Sequence, residues 1–336
     1  MCAELLSLVV PCFNEEECLP MFFNKVEATL QKLASSLCTG FNFELIFVDD
    51  GSADGTLDAI KHLTLRADSP LLGVLDIRWV SFSRNFGKEA AIYAGLESAR
   101  GSYVAILDAD LQDPPSLLLK MFEVMWRESA DSVAARRVSR EGEPPIRSFF
   151  ARQFYRVINK LSTTDIVDGA RDYRLMRRPV VDAILSLHEY NRFSKGIFGW
   201  VGFKNVWVPF EHTRRVAGET KWSFLSLLLY ALDGIIAFST APLSLASFAG
   251  ILLCLIALLA MVVIFFRAAL FGDPVQGWPS LACIITLLGG FQLLCIGIIG
   301  QYLAKTYLET KHRPLYIVRE SGVQRRDDVP REHESL

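Results

Sequence analysis

Short apolar runs alternate with amphipathic stretches through the first half of the chain. Leu5–Val10, Phe43–Val48, Ile77–Phe82 and Tyr103–Leu107 are nearly continuous apolar segments. Runs of that length and kind predict strands buried on both faces of a parallel sheet. Ser132–Ala135 and Lys204–Pro209 extend the set. Between the strands, Glu16–Leu37, Asp54–Ala67 and Lys88–Ala99 carry helical spacing, with Asp54 and Ser83 as cap residues and Gly101 closing the third helix. This β-α-β-α order predicts an α/β fold built on a doubly wound, mostly parallel sheet.

The second half follows another pattern. Leu243 to Phe266 and Leu281 to Ala304 are almost uncharged apolar runs of roughly 24 residues each, and about 20 suffice to cross a bilayer. They predict a two-helix transmembrane hairpin, with a buried core hairpin as the alternative. Lys221 through Phe238 reads as an interfacial helix, with Trp222 and Tyr230 suited to the headgroup layer. Arg214, Arg215 and Lys221 precede the first run, Lys305, Lys311 and Arg313 follow the second, and the connecting loop holds only Arg267. That asymmetry places both termini in the cytosol and the chain in the membrane, taken as a bacterial inner membrane. The expected division is a cytosolic catalytic domain over 1–219, an interfacial helix over 220–240, two spans over 241–306 and a cytosolic tail over 307–336. The tail beyond Arg319 is charged and poor in apolar residues, which predicts disorder. Small residues such as Gly289, Gly290 and Gly297 permit helix–helix packing and hence a homo-oligomer.

Composition narrows the possibilities. The 336 residues carry a formal net charge of −2, so no basic field points to nucleic acid. Mean hydropathy of +0.28 is high for a soluble enzyme. The seven cysteines form no C-x-x-C pair, which suggests neither a disulfide framework nor a zinc site. Glycine-rich dinucleotide and P-loop signatures are missing. The first residues lack the basic n-region of a signal peptide. Positive charge concentrates from Arg136 to Arg178, interleaved with Phe149, Phe150, Phe154 and Tyr155. Such a run is either a solvated helix face or a surface for anionic phosphates.

The strongest chemical signal is Asp108-Ala109-Asp110, with Gln112 close behind, at the end of the Tyr103–Leu107 strand. Strand carboxyl ends are where α/β sheets place ligands. Paired carboxylates there suit Mg²⁺ or Mn²⁺ held between protein and substrate phosphates. An acidic turn is the plain alternative. A second pair, Asp49-Asp50, ends the Phe43–Val48 strand in the same way.

These segments resemble a known family. Val9-Val-Pro11-Cys-Phe13-Asn-Glu15-Glu, Val48-Asp-Asp50-Gly-Ser, Ser83-Arg-Asn85-Phe-Gly87-Lys and Asp108-Ala-Asp110-Leu-Gln112-Asp-Pro-Pro look like the ordered signatures of family-two GT-A glycosyltransferases. Arg171-Asp172-Tyr-Arg174, Arg215-Val-Ala-Gly218-Glu-Thr-Lys221-Trp and Phe238-Ser-Thr-Ala-Pro242-Leu are similar to the polyprenyl-phosphate glycosyltransferases, the group of dolichol-phosphate mannose synthases and bactoprenol glucosyltransferases. The resemblance implies a nucleotide-sugar pocket lined by Pro11, Phe13, Glu15, Val48, Asp50, Asp108, Ala109 and Arg136, closed over by a loop bearing Arg215 and Lys221. It implies Asp108, Asp110 and Gln112 as metal ligands and Arg136 and Arg147 as contacts to the acceptor phosphate. Asp110 and Asp172 are the expected catalytic residues. For Asp172, orienting the attacking oxygen and a structural ion pair with Arg171 or Arg174 both stay open. Phe13 replaces a frequent tyrosine, and Ala151 replaces a serine that some relatives carry.

The implied reaction is inverting sugar transfer from a nucleotide sugar, expected to be UDP-glucose, to a polyprenyl phosphate. GDP-mannose is the alternative donor, and a modified aminosugar is a further one. A non-catalytic membrane scaffold is a rival reading. A processive polysaccharide synthase lacks support, because the chain has no Q-x-x-R-W segment.

Overall fold

The computed structural model describes residues 4–36, 41–65, 68–138, 170–210 and 278–324, together with scattered helical positions between 243 and 270. Eight strands form one sheet: β1 (Glu4–Cys12), β2 (Phe41–Asp49), β3 (Leu75–Phe82), β4 (Tyr103–Ile106), β5 (Ser132–Arg137), β6 (Ala170–Arg177), β7 (Asn205–Phe210) and β8 (Val318–Gln324). Their order is β7-β5-β6-β4-β1-β2-β3-β8. The four parallel strands β4-β1-β2-β3 form the centre. β6 and β8 join antiparallel, beside β4 and β3. This is the doubly wound, mostly parallel sheet expected.

The central strands are apolar on both sides because both sides are covered. Leu6, Leu8 and Val10 of β1 face one core with Phe22, Val26 and Leu30 of α1 (Leu19–Ser36) and Met121, Phe122 and Met125 of α4 (Leu117–Arg127). α1 and α4 recur apolar at three- and four-residue steps, the spacing of a helix with one buried stripe. Val9, Ile46, Val48 and Ile106 face a second core with α3 (Lys88–Ser98), α5 (Arg178–Leu185) and α6 (Ser194–Trp200). α3 is built of alanines because it lies close to the sheet. A Cβ at Gly95 would stand 2.1 Å from a Val9 methyl carbon.

Several expectations need correction. The helix expected over Asp54–Ala67 is the short α2 (Thr56–Lys61), and Ser83 caps no helix: Gly87 holds the N-cap of α3. The charged tail predicts disorder after Arg319. Instead β8 pairs with β3, and Glu320 bridges to Lys61 at 2.8 Å. The sheet therefore takes its last strand from beyond the apolar segment. The basic stretch likewise contains β6, where Arg174 is buried over the Phe198 ring at 4.1 Å.

The second apolar run lies in α7 (Trp278–Thr310), of which Leu288–Thr310 is long and apolar enough to cross a bilayer. Leu293, Leu294, Ile296 and Leu303 point outward from it. Of the first run only single helical positions are described, so a hairpin is not established; the interfacial helix expected over 220–240 lies outside the described residues. α7 meets the sheet domain at its end: Glu309 accepts the amides of Tyr190 (2.9 Å) and Asn191 (3.2 Å).

Candidate active site

The chain runs outward from β1 to β2 and β3, then returns to place β4 on the other side of β1. Strand order reverses between β1 and β4, the position at which open α/β sheets bind ligands beyond their carboxyl ends. The loops after β1, β2, β3 and β4 all emerge at this edge. β6 runs antiparallel to β4 with Arg174 opposite Ile106, which brings Asp172 to the same edge, and Arg136 of β5 sits opposite Ala170.

The loop after β1 is tied to the loop after β2. Asn14, at φ +54°, donates its amide to Ser52 and accepts the Ala53 amide at its side-chain oxygen. The Glu15 amide donates to the Thr56 hydroxyl at 2.8 Å. Phe13 is 38% exposed in this rim. Pro11 is partly buried beside it.

The two carboxylates ending β2 serve the scaffold. Asp49 accepts the Ser81 hydroxyl (2.7 Å) and the Ser52 amide (3.0 Å). Asp50 accepts the amides of Phe86 (2.6 Å) and Gly87 (2.9 Å). Burial raises the Asp50 pKa, and those two amides work against the rise. Gly51, at φ +66°, lets the chain pass Arg84, whose backbone carbon would stand 2.4 Å from a Cβ there. Asp50 thus fixes the loop that carries Lys88. Val48 is fully buried with Val9 in the α3 core, so its side chain does not line this edge; Ala109 is also buried.

Asp108 and Asp172 are joined through Lys88, which sequence reasoning left unassigned. Its ammonium lies 2.7 Å from Asp108 Oδ1, 2.9 Å from Asp108 Oδ2 and 2.7 Å from Asp172 Oδ2. Partial desolvation of the half-exposed side chain disfavours the ammonium, but the two carboxylates outweigh it and hold the Lys88 pKa above the ordinary lysine value. For Asp172, burial is likewise overcome by Lys88 and then Lys195, which drive its pKa well below the usual range. The partner of Asp172 is therefore Lys88, not Arg171 or Arg174.

Arg171 points the other way, as the alternation of a strand requires. Its Nε donates to Asp113 at 3.0 Å and its Nη2 to the Gln112 side-chain oxygen at 3.0 Å. Burial lifts the Asp113 carboxyl to about 6 against the pull of Arg171. Asp110 accepts the Gln112 amide at 3.1 Å. Glu89, next to Lys88, accepts the amide and hydroxyl of Ser194 and so anchors α6. Arg147, Arg215 and Lys221 lie outside the described residues.

Among the described residues no group of three or more His, Cys, Asp or Glu is arranged to hold a metal by itself. Asp108 and Asp110 still fit a hard divalent cation: Asp108 is already wrapped around a cationic centre, and a diphosphate can complete such a shell with its own oxygens. Gln112 fits less well, its amide oxygen being engaged by Arg171.

Known proteins resemble this chain over most of its length. The profile of the family described as Glycosyl transferase family 2 matches residues 7–185. The chain is 38% identical over 323 residues to a putative glycosyltransferase, CsbB, of Bacillus subtilis, covering 96% of this chain and 94% of the relative. It is 40% identical over 314 residues to the bactoprenol glucosyl transferase of Shigella phage SfV, covering 94% and 98%. An uncharacterized glycosyltransferase of Synechocystis is 41% identical over 313 residues, covering 93% and 94%.

Proposed function

The chain belongs to glycosyl transferase family 2, and on that footing we propose that it transfers glucose from UDP-glucose to a polyprenyl phosphate with inversion at the anomeric carbon. The observation that carries this reading is near-full-length similarity to bactoprenol glucosyl transferases, joined to the carboxylates gathered at the strand-order reversal. α7, apolar and outward-facing, suits a lipid-linked acceptor.

Departure of a nucleoside diphosphate needs its charge neutralised. Asp108 and Asp110 would hold a Mg²⁺ or Mn²⁺ ion for this, which would act as a Lewis acid on the diphosphate. The remaining work falls to the chain. The rim of Pro11, Phe13 and Glu15, with Asp50 beneath it, would take the nucleoside. Arg136, exposed at the end of β5, would meet phosphate. Arg215 and Lys221 would close over the donor, and Arg147 would hold the acceptor phosphate.

A lipid monophosphate with a second pKa of about 6 is already an anionic nucleophile at pH 7. No strong base is required, and Asp172 is a poor one, because a useful base has a pKa near the working pH. Its fixed negative charge is suited to stabilising positive charge at the anomeric carbon. In the membrane we place two spans over 241–306 with both termini cytosolic; a reporter fused after Leu336 that reads extracytoplasmic would refute this.

The test is turnover of the full chain in detergent with a short-chain polyprenyl phosphate and UDP-glucose, UDP-N-acetylglucosamine or GDP-mannose, with and without excess chelator. Glucosyl-lipid from UDP-glucose alone, lost with chelator and in Asp110→Asn, is the expected result. Turnover only with another donor overturns the sugar, full turnover in chelator overturns the metal, and metal-dependent UDP binding without turnover on any donor makes the chain a scaffold.

A further inference from the structure

Lys88 occupies an unusual position for a helix-start lysine. Both oxygens of Asp108 contact its ammonium, at 2.7 and 2.9 Å, and the same ammonium reaches Asp172 at 2.7 Å. The two carboxylates lie just past the end of β4 and near the start of β6, which are antiparallel neighbours, so one cation ties two adjacent strands at this edge. The backbone beneath it is fixed, since the Gly87 amide is held by Asp50 at 2.9 Å. The side chain is not fixed in the same way. It is 45% exposed, against 20% for Asp108 and 18% for Asp172, and a four-carbon stem can swing aside without moving the helix.

A divalent ion on Asp108 approaches the same two oxygens that the ammonium contacts, at the shorter distance of about 2.1 Å. An ammonium and a divalent ion drawn to one carboxylate also repel each other, strongly so in a partly desolvated site. That repulsion favours one cation on Asp108 at a time. Asp172, by contrast, can keep Lys88 in either case.

We infer that Lys88 is an exchangeable internal counter-ion: it neutralises Asp108 and Asp172 in the nucleotide-free protein and yields Asp108 when a divalent ion enters together with the nucleotide diphosphate. Lys88 then remains on Asp172 as its positioning residue. The inference rests on Asp108 and Asp110 as the metal site. Its consequence is a coupling: the ion alone competes poorly with Lys88, and the diphosphate, by adding oxygen ligands, tips the exchange.

The test is Mn²⁺ binding to the detergent-solubilised full chain, read from loss of the free-ion electron paramagnetic resonance signal, with and without UDP. Wild type should bind Mn²⁺ weakly alone and more tightly with UDP. Lys88→Met should bind Mn²⁺ roughly tenfold more tightly both alone and with UDP, since the cost of displacing the ammonium is gone from each. Lys88→Arg keeps the charge and should behave as wild type. If Lys88→Met fails to fold, judged by gel filtration and thermal melting, Lys88→Gln replaces it. Unchanged nucleotide-free affinity in the neutral variant, with Asp110→Asn still abolishing binding, overturns the exchange and leaves Lys88 a structural tie. Binding indifferent to Asp110→Asn in every background overturns the metal site itself, and the inference with it.

Discussion

Asp50→Asn separates two roles that the site assigns to one carboxylate. The resemblance sets Asp50 toward the nucleoside, while the structure has it accept the Phe86 and Gly87 amides at 2.6 and 2.9 Å, with a third contact at 3.2 Å. Asparagine keeps one acceptor oxygen, so one amide would face an NH₂ group instead. Hydrogen bonds to a charged group contribute about 1.5–3 kcal/mol, which bounds the loss. Part is returned, because burial already disfavours the Asp50 charge and the neutral amide relieves that. The net local cost is then about 1–2 kcal/mol, or roughly 5–30-fold in an opening equilibrium. Hydrogen exchange read by mass spectrometry on peptides spanning residues 83–88, in nucleotide-free protein, should accelerate by that factor at Phe86 and Gly87. Lys88 follows directly, so kcat should fall along with donor affinity. Unchanged protection at these amides, with only donor KM raised, refutes the scaffold role and leaves Asp50 purely a ligand contact.

Gly51→Ala should lower stability by about 3 kcal/mol, combining left-handed backbone strain with a Cβ placed 2.4 Å from the Arg84 backbone carbon; a melting temperature equal to wild type contradicts that crossing. Arg171→Met should cost about 3 kcal/mol near neutral pH by leaving Asp113 buried without its partner. The Asp113 carboxyl already sits raised from 3.8 to about 6, so its burden on stability grows as pH rises through that interval. Losing Arg171 raises it further, and the deficit against wild type should widen between pH 6 and pH 8; a pH-independent deficit refutes the pairing.

The central strands were legible because burial on both faces leaves unbroken apolar runs. For the same reason nothing in the run told which side chain meets the site, and Val48 turns into the α3 core. β6 hid behind its arginines, whose charges are settled far along the chain: Arg171 by Asp113, 58 residues away, and Arg174 by the Phe198 ring and the Ser132 hydroxyl. β8 hid because an edge strand needs only half its residues apolar. Lys88 stood in a motif already noticed, but its partner Asp172 is 84 positions distant, beyond any local periodicity. The carboxylate pair proposed for the metal stood out in the sequence because both side chains fall within three residues at one strand end.

β8 also imposes an order of events on synthesis. Its partner β3 ends at Phe82, and β8 begins at Val318, after the whole apolar segment. A chain emerging at 5–20 residues per second takes roughly 12–50 s to cover that gap. Throughout it β3 is the open edge of the growing sheet, with unpaired backbone groups and Trp79 uncovered. Exposed edges of this kind recruit other strands. The whole apolar segment therefore leaves the ribosome before the sheet can be completed, and a chain that stalls there would keep that edge open.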